Sequence, residues 1–462
     1  MNRSRLVQGT ALAAFLTMVS VGSASAQTLM DAFMATYQNN PTIQAERSSL
    51  RTTDEGVPQA VGRWRPTVEL LNQAAIRREN SGFTTGEDTR RQYSTILEVN
   101  QNLYEGGGTT YRIKQAEAEV EAARSTLMET EQAVLLDAAT AFMNVVRDQA
   151  IVDLNKRNER RLERQLEATR DRFEVGEVTR TDVAQAESRL AGAQADRIAS
   201  EGDLEVSRAF YQQIVGELPG LLQAPVDHPD VPVSREEALT LATDRNPTVR
   251  AAEKTYEAAD VAVRVQAASL LPSVDLTAQL GREYSRSGSN DTDSDLMTLT
   301  GNLTVPIYQQ GIVSSQVREA RQAAIEARDL VVEARRSVLE NATSAWETYV
   351  SAVAQISARE AEVRATEIAL EGVEQEAAVG SRTVLDVLDA EQELLDAQVN
   401  LVEAQRNETV ARYDLIQSVG GLTAREMGLT SNLYDPEAYY KSVRDKAYDS
   451  AVWDEIFKDD DQ

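Results

Sequence analysis

The chain says most of what it has to say twice. NNPTIQAE at 39–46 is answered by RNPTVRAA at 245–252, and RPTVEL at 65–70 by LPSVDL at 271–276, both at an offset of 206 residues. From there the offset becomes 204: Leu103-Tyr104 matches Ile307-Tyr308, Gly107 matches Gly311, Val175-Gly176 matches Val379-Gly380, Asp182 matches Asp386, and Gly216 matches Gly420. So many landmarks at a fixed spacing identify an internal duplication, which dictates architecture before any local detail does. The two-residue change falls between Pro66 and Tyr104, so one loop there is shorter in the second copy. The expected organisation is a leader (1–26), a first repeat (27–215), a Pro-rich linker (216–234), a second repeat (235–430) and an acidic tail (431–462).

Each copy reads as helix, strand, loop, strand, very long helix, turn, long helix. The hairpins are expected at 66–104 and 272–308, and the long helices at 107–215 and 311–420. In the second hairpin Val274, Leu276, Ala278 and Leu280 alternate with Ser273, Asp275, Thr277 and Gln279, and Met297, Leu299 and Leu303 alternate with Thr298, Thr300 and Asn302. The first hairpin repeats this with Val68, Leu70, Ala74 and Ile76, then Tyr93, Thr95, Leu97, Val99 and Leu103. A period of two marks a strand with one apolar face.

The helices carry a heptad signal instead. Val317, Ala320, Ala324, Ala327, Val331, Ala334 and Val338 form one 3-4 seam, and Ile325, Val332, Leu339, Trp346 and Val353 form a second. The first copy repeats both, with Ile113, Ala116, Val120, Ala123, Leu127 and Val134, then Met128, Leu135 and Phe142. Two seams on one helix require neighbours on both sides, as in a closed ring of helices. Unbroken from Gly107 to Arg172, such a helix is a rod of roughly 100 Å at ~1.5 Å per residue.

Arg3 and Arg5, the apolar ALAAFLTMVSVG and the small-residue site Ala24-Ser25-Ala26 read as a secretory leader. No other apolar run reaches the ~20 residues of a spanning helix. The chain has no cysteine, which excludes disulfides, thiolate metal sites, a cysteine nucleophile and a lipidated cysteine anchor. A formal charge of −27 disfavours nucleic acid, whose binding calls for basic patches. The single histidine, His228, lies in the linker, so neither a Ser-His-Asp set nor a histidine metal site is expected. YEGGGTTYR at 104–112 lacks the Lys-Ser/Thr end of a phosphate loop and reads as a strand-to-helix turn. No catalytic residue, cofactor or metal is expected.

Four strands cannot close a barrel, lipid does not tolerate an open edge, and membrane barrels begin at about eight strands. Several chains would have to pool their strands. The rival reading is a periplasmic structural protein or adhesin, its helices acting as spacers and its sheet packed on its own rods.

The order of hairpin, long helix, VGxxTxxDV turn and long helix, duplicated, resembles the TolC family of outer-membrane efflux and type I secretion channels. VGSRTVLDVLDAEQ at 379–392 and the Asn-Pro of each copy are similar to family sequence as well. The resemblance implies an α+β membrane protein: a long antiparallel α-helical barrel continuous with a transmembrane antiparallel β-barrel, four strands per protomer and twelve in a homotrimer. It implies the outer membrane of a Gram-negative bacterium, contact with its lipid, helices in the periplasm, and two partners, a periplasmic adaptor protein and an inner-membrane transporter.

It also implies sites. Asp386 and Asp389, at i and i+3 on one helical face, would give six carboxylates at one level of a trimer, a ring that favours cations. The plainer alternative is that these aspartates only complement a helix N-terminus, worth about 0.3–1 kcal/mol. Thr181, Asp182 and Arg382 carry over as a gate at the periplasmic end, with a directional Arg–Asp link. One departure stands out: the family's gate tyrosine falls on Ala377 here, and the first copy has Phe173. The turns at Val175-Gly176 and Val379-Gly380 would meet the adaptor.

Overall fold

The structure, a computed structural model, describes residues 27–79, 88–225, 229–287, 290–429 and 433–448. The leader, most of the first hairpin tip, His228 and the end of the tail lie outside the described residues. The first copy runs α1 (Leu29–Asn39), α2 (Pro41–Asp54), α3 (Gly56–Gly62), β1 (Thr67–Glu79), β2 (Asp88–Glu105), α4 (Gly108–Glu174) and α5 (Arg180–Val215). The second runs α6 (Arg235–Arg245), α7 (Pro247–Ala268), β3 (Ser273–Ser287), β4 (Asn290–Thr304), α8 (Ile312–Ala378) and α9 (Val384–Ser418), and α10 (Ala438–Val443) follows.

One expectation needs correction: the opening segment of each copy is not a single helix. Asn40 and Asn246 each cap the C-terminus of one helix and the N-terminus of the next, accepting from the N–H of Thr42 and Thr248 at 2.9 and 3.0 Å. The proline that follows cannot continue the preceding helix, but suits the first position of a new one.

The four strands form one antiparallel sheet in the order β1-β2-β3-β4, so the two copies join through β2 and β3. The register sets Val68, Val99, Ala278 and Leu299 in one row, and Leu70, Leu97, Leu280 and Met297 in another on the same face. The opposite face carries rows such as Glu69, Glu98, Gln279 and Thr298, knit by Gln279 donating to Glu98 and Thr277 donating to Asn100. The apolar face is uncovered: Val68 is 63 % exposed, Leu70 62 % and Met297 88 %. A sheet tucked against its own helices would bury these side chains, so the spacer reading fails here.

Both long helices are 67 residues. In the lower half α4 packs on α5 and α9, and α9 packs on α8, giving a strip in the order α5-α4-α9-α8. The core sits at the waist. Phe33 and Tyr37 of α1 meet Leu135 and Phe142 of α4, Tyr211 of α5 and Tyr413 of α9, while Ala238 and Ala242 of α6 meet Val338, Ala342 and Ala345 of α8.

The two seams fare differently in the two copies. Leu135 and Phe142 are fully buried while Met128 of the same seam is exposed, and Val317, Ala324, Val331 and Val338 of the first α8 seam are buried. Ile325, Val332, Leu339 and Val353 of the second α8 seam remain exposed. Apart from Trp346, which packs against the α6–α8 cluster, this stripe has no covering neighbour among the described residues of one chain. The described part of the tail crosses the first copy: Tyr439 donates to Glu55 at 2.6 Å, and Arg444 pairs with Glu117 at 3.1 Å.

Candidate functional site

The two helical tips are built alike. Gly176 and Gly380 adopt left-handed φ of 81° and 82°, which lets the amide of Glu177 reach Arg172 O and that of Ser381 reach Glu376 O, both at 2.9 Å. This closure satisfies carbonyls left open at a helix end and requires a residue without a Cβ penalty. Val175 and Val379, just before each glycine, are 72 % and 81 % exposed.

Each tip then starts its second helix with a capping box. Thr383 Oγ1 accepts from the Asp386 amide at 3.2 Å, and Asp386 Oδ2 accepts from the Thr383 amide and hydroxyl, both at 2.8 Å. Thr179 and Asp182 repeat this in the first copy. The T-x-x-D spacing is therefore the capping-box spacing, and it accounts for the first aspartate of each copy. Donation from Thr383 also holds the Asp386 carboxyl below the usual carboxylate range. Thr181 stands exposed in the first turn of α5.

Within one chain Arg382 and Asp182 are not brought together. Arg382 Nε donates to Glu376 Oε2 at 2.8 Å, inside its own tip, while Asp182 is held by Thr179. The second acidic residue goes elsewhere: Asp389 accepts a hydrogen bond from Arg189 of α5, in the other hairpin. Its placement follows from packing. Val384 and Leu388 are buried against Leu162 of α4 and Ala193 of α5, with Val178 and Leu190 alongside, each such side chain worth about 1.5–3 kcal/mol. Ala390 and Leu394 turn the other way, onto Leu370 of α8.

Sequence reasoning missed Arg189 and, beside it, Glu391. Glu391 is 3 % exposed, its Oε1 lies 3.9 Å from Arg161 Nε, and its Oε2 has no hydrogen-bond partner among the described residues. It lines a cleft of about 550 Å³ with Leu154, Arg157, Asn158 and Gln398. Burial pushes its carboxyl up to about 7, with Arg161 opposing. A signal was present in the duplication. At the offset of 204, Asp389 answers Gln185 and Arg189 answers Glu393, so the copies diverge in charge at the two positions that meet.

Comparison with known proteins agrees with the duplicated plan. The sequence profile "Outer membrane efflux protein" matches residues 35–217 and again 238–421. The chain is 33 % identical over 430 residues to the outer membrane efflux protein BepC of Brucella suis, covering 93 % of each. It is 26 % identical to the outer membrane protein TolC of Vibrio cholerae over 408 residues, covering 85 % of this chain and 89 % of that one. The fold is shared with the crystal structure of the Campylobacter jejuni CmeC outer membrane channel, at a TM-score of 0.77 and 16 % identity over 92 % of this chain and 90 % of that one.

Proposed function

The chain belongs to the outer membrane efflux protein family, a channel component rather than an enzyme, and from that membership we propose that three copies assemble into one continuous exit duct. The observation that carries this reading is the sheet. Its apolar face is open, and among the described residues β1 and β4 each pair on one side only. Joining β4 of one copy to β1 of the next supplies twelve strands, leaves no edge and turns the apolar rows toward lipid.

The helices close by the same operation. The open α8 seam of Ile325, Val332, Leu339 and Val353 meets α5 of the next copy, where Ile198, Val206 and Phe210 are exposed. The helical part stands in the periplasm, and the exposed tips at Val175-Gly176 and Val379-Gly380 are the surface offered to a periplasmic adaptor coupled to an inner-membrane transporter. Asp386 and Asp389 ring the narrow end and favour cations. Thr181, Asp182 and Arg382 form links there, and since Arg382 and Asp182 do not meet within one chain, their pairing is assigned between neighbouring subunits.

The test is the full chain purified in detergent, weighed by native mass spectrometry and inserted in a planar bilayer. The trimer mass and single-channel conductance are expected. A water-soluble monomer without conductance would refute the reading.

A further inference from the structure

We propose that Arg189 is a gate residue of this channel: its ion pair with Asp389 latches the second helical hairpin onto the first and masks one of the two acidic charges each subunit brings to the narrow end. This rests on the reading of the tips as a gate and deepens it by naming a residue that sets both closure and ion preference.

Four observations lead to it. The pair joins α5 to α9, elements 200 residues apart in sequence, so it spans the two hairpins. Other ion pairs near the tips stay within a hairpin: Arg170 with Glu187, Arg172 with Glu177 and Arg382 with Glu376. Among the described residues the other pair crossing between the hairpins there, Arg161 with Glu391, is 3.9 Å apart, beyond hydrogen-bond length. Finally, both members are particular to their own copy, since the equivalent positions hold Glu393 and Gln185.

The copy difference has a geometric consequence. In a ring of six hairpins the strip α5-α4-α9-α8 repeats, so the α8–α9 hairpin lies between the α4–α5 hairpin of its own chain, packed through α4 with α5 reaching α9 at the tip, and the α4–α5 hairpin of the next chain, met through α8. The first interface sets Arg189 against Asp389. The second, related by the duplication, sets Glu393 against Gln185 and has no counterpart of the latch. The latch therefore adds three links to closure, each inside one subunit, beside the Arg382–Asp182 links assigned between subunits, and opening includes a movement of the α8–α9 hairpin away from α4–α5.

Charge follows the same movement. A carboxylate bonded to a guanidinium contributes little field at a distance, and one released from it contributes its full charge in a narrow low-dielectric passage. The link is solvent-accessible on both sides, with 41 % of the Arg189 side chain and 52 % of that of Asp389 exposed. It is a latch that an engaging partner can break, and breaking it unmasks Asp389 when ions are to pass.

The experiment compares wild type, R189Q, D389N, D386N and the charge swap R189D/D389R as full-length trimers in planar bilayers. R189Q and D389N both remove the link, so both are expected to raise resting conductance severalfold. Their selectivities should move in opposite directions, each by about twofold or more, because R189Q leaves Asp389 bare and D389N leaves Arg189 bare. The swap should bring resting conductance back toward wild type, which a merely structural role for either side chain would not do. Resting conductance unchanged in R189Q, or selectivity shifting the same way in R189Q and D389N, would overturn the latch. The gate reading is judged separately by D386N: loss of cation preference there with no effect of R189Q leaves the ring standing and removes only the latch.

Discussion

One glutamate shows how the same residue in the two copies acquires different chemistry. Glu187 lies exposed and pairs with Arg170 in its own hairpin, whereas Glu391, its equivalent at the offset of 204, is buried at the seam between hairpins. Its carboxyl rises from 4.5 to about 7, chiefly through burial, with Arg161 and Arg164 of α4 opposing and Glu374 of α8 adding to the rise. An acid held more tightly in the docked state favours docking at low pH. The protonated seam is fully stable below about pH 4.5 and weakens as pH climbs to about 7, by at most ~3 kcal/mol. Amide exchange over α9 residues 384–394, corrected for intrinsic rates, should therefore be faster at about pH 8 than at about pH 5. E391Q should remove that difference. An equal pH response in E391Q and wild type would rule the glutamate out as its source. Asp386 behaves oppositely: Thr383 holds its carboxyl low, so that charge persists below the usual carboxylate range.

At the scale of the element, most of the chain was legible, because helices and strands announce themselves by period. The heptads of α4 and α8, the strand alternation and the glycine tips all appear where expected. The junctions at Asn40-Pro41 and Asn246-Pro247 divide what reads by period as one opening helix in each copy, although the capping asparagine and N1 proline that make the junction are both visible in the sequence. The first aspartate of the T-x-x-D motif is a capping-box residue in both copies, which local spacing suffices to explain. T383A should lose the side-chain half of that box, at a cost of about 1 kcal/mol, so the first turn of α9 should exchange its amides about fivefold faster. Hydrogen exchange at residues 384–387 measures this. Protection equal to wild type would mean the turn is held by the Leu388 contacts instead.

For the whole molecule, the decisive feature is a sheet with one apolar and one polar face and no cover on the apolar one. Leu299 lies on the apolar face and Thr298 on the other. L299R should cost about 2–4 kcal/mol per chain if it sits near the bilayer midplane, and should deplete assembled trimer from the outer membrane, whereas T298R should be tolerated. Heat-modifiable migration of membrane fractions reports both, and equal depletion by the two variants would reverse the face assignment. By itself the sequence determined the duplicated unit, the strand faces, the rod lengths and the turns, since each follows from backbone periodicity and from residues that only certain dihedral angles accept. Tertiary structure alone decided that β2 joins β3 across the copies, that one α8 seam stays open, and that Asp389 meets Arg189 while Arg382 turns back to Glu376. A charged side chain reaches whichever helix lies beside it, and that adjacency is set by how buried apolar stripes rotate the helices against one another, which no linear spacing records.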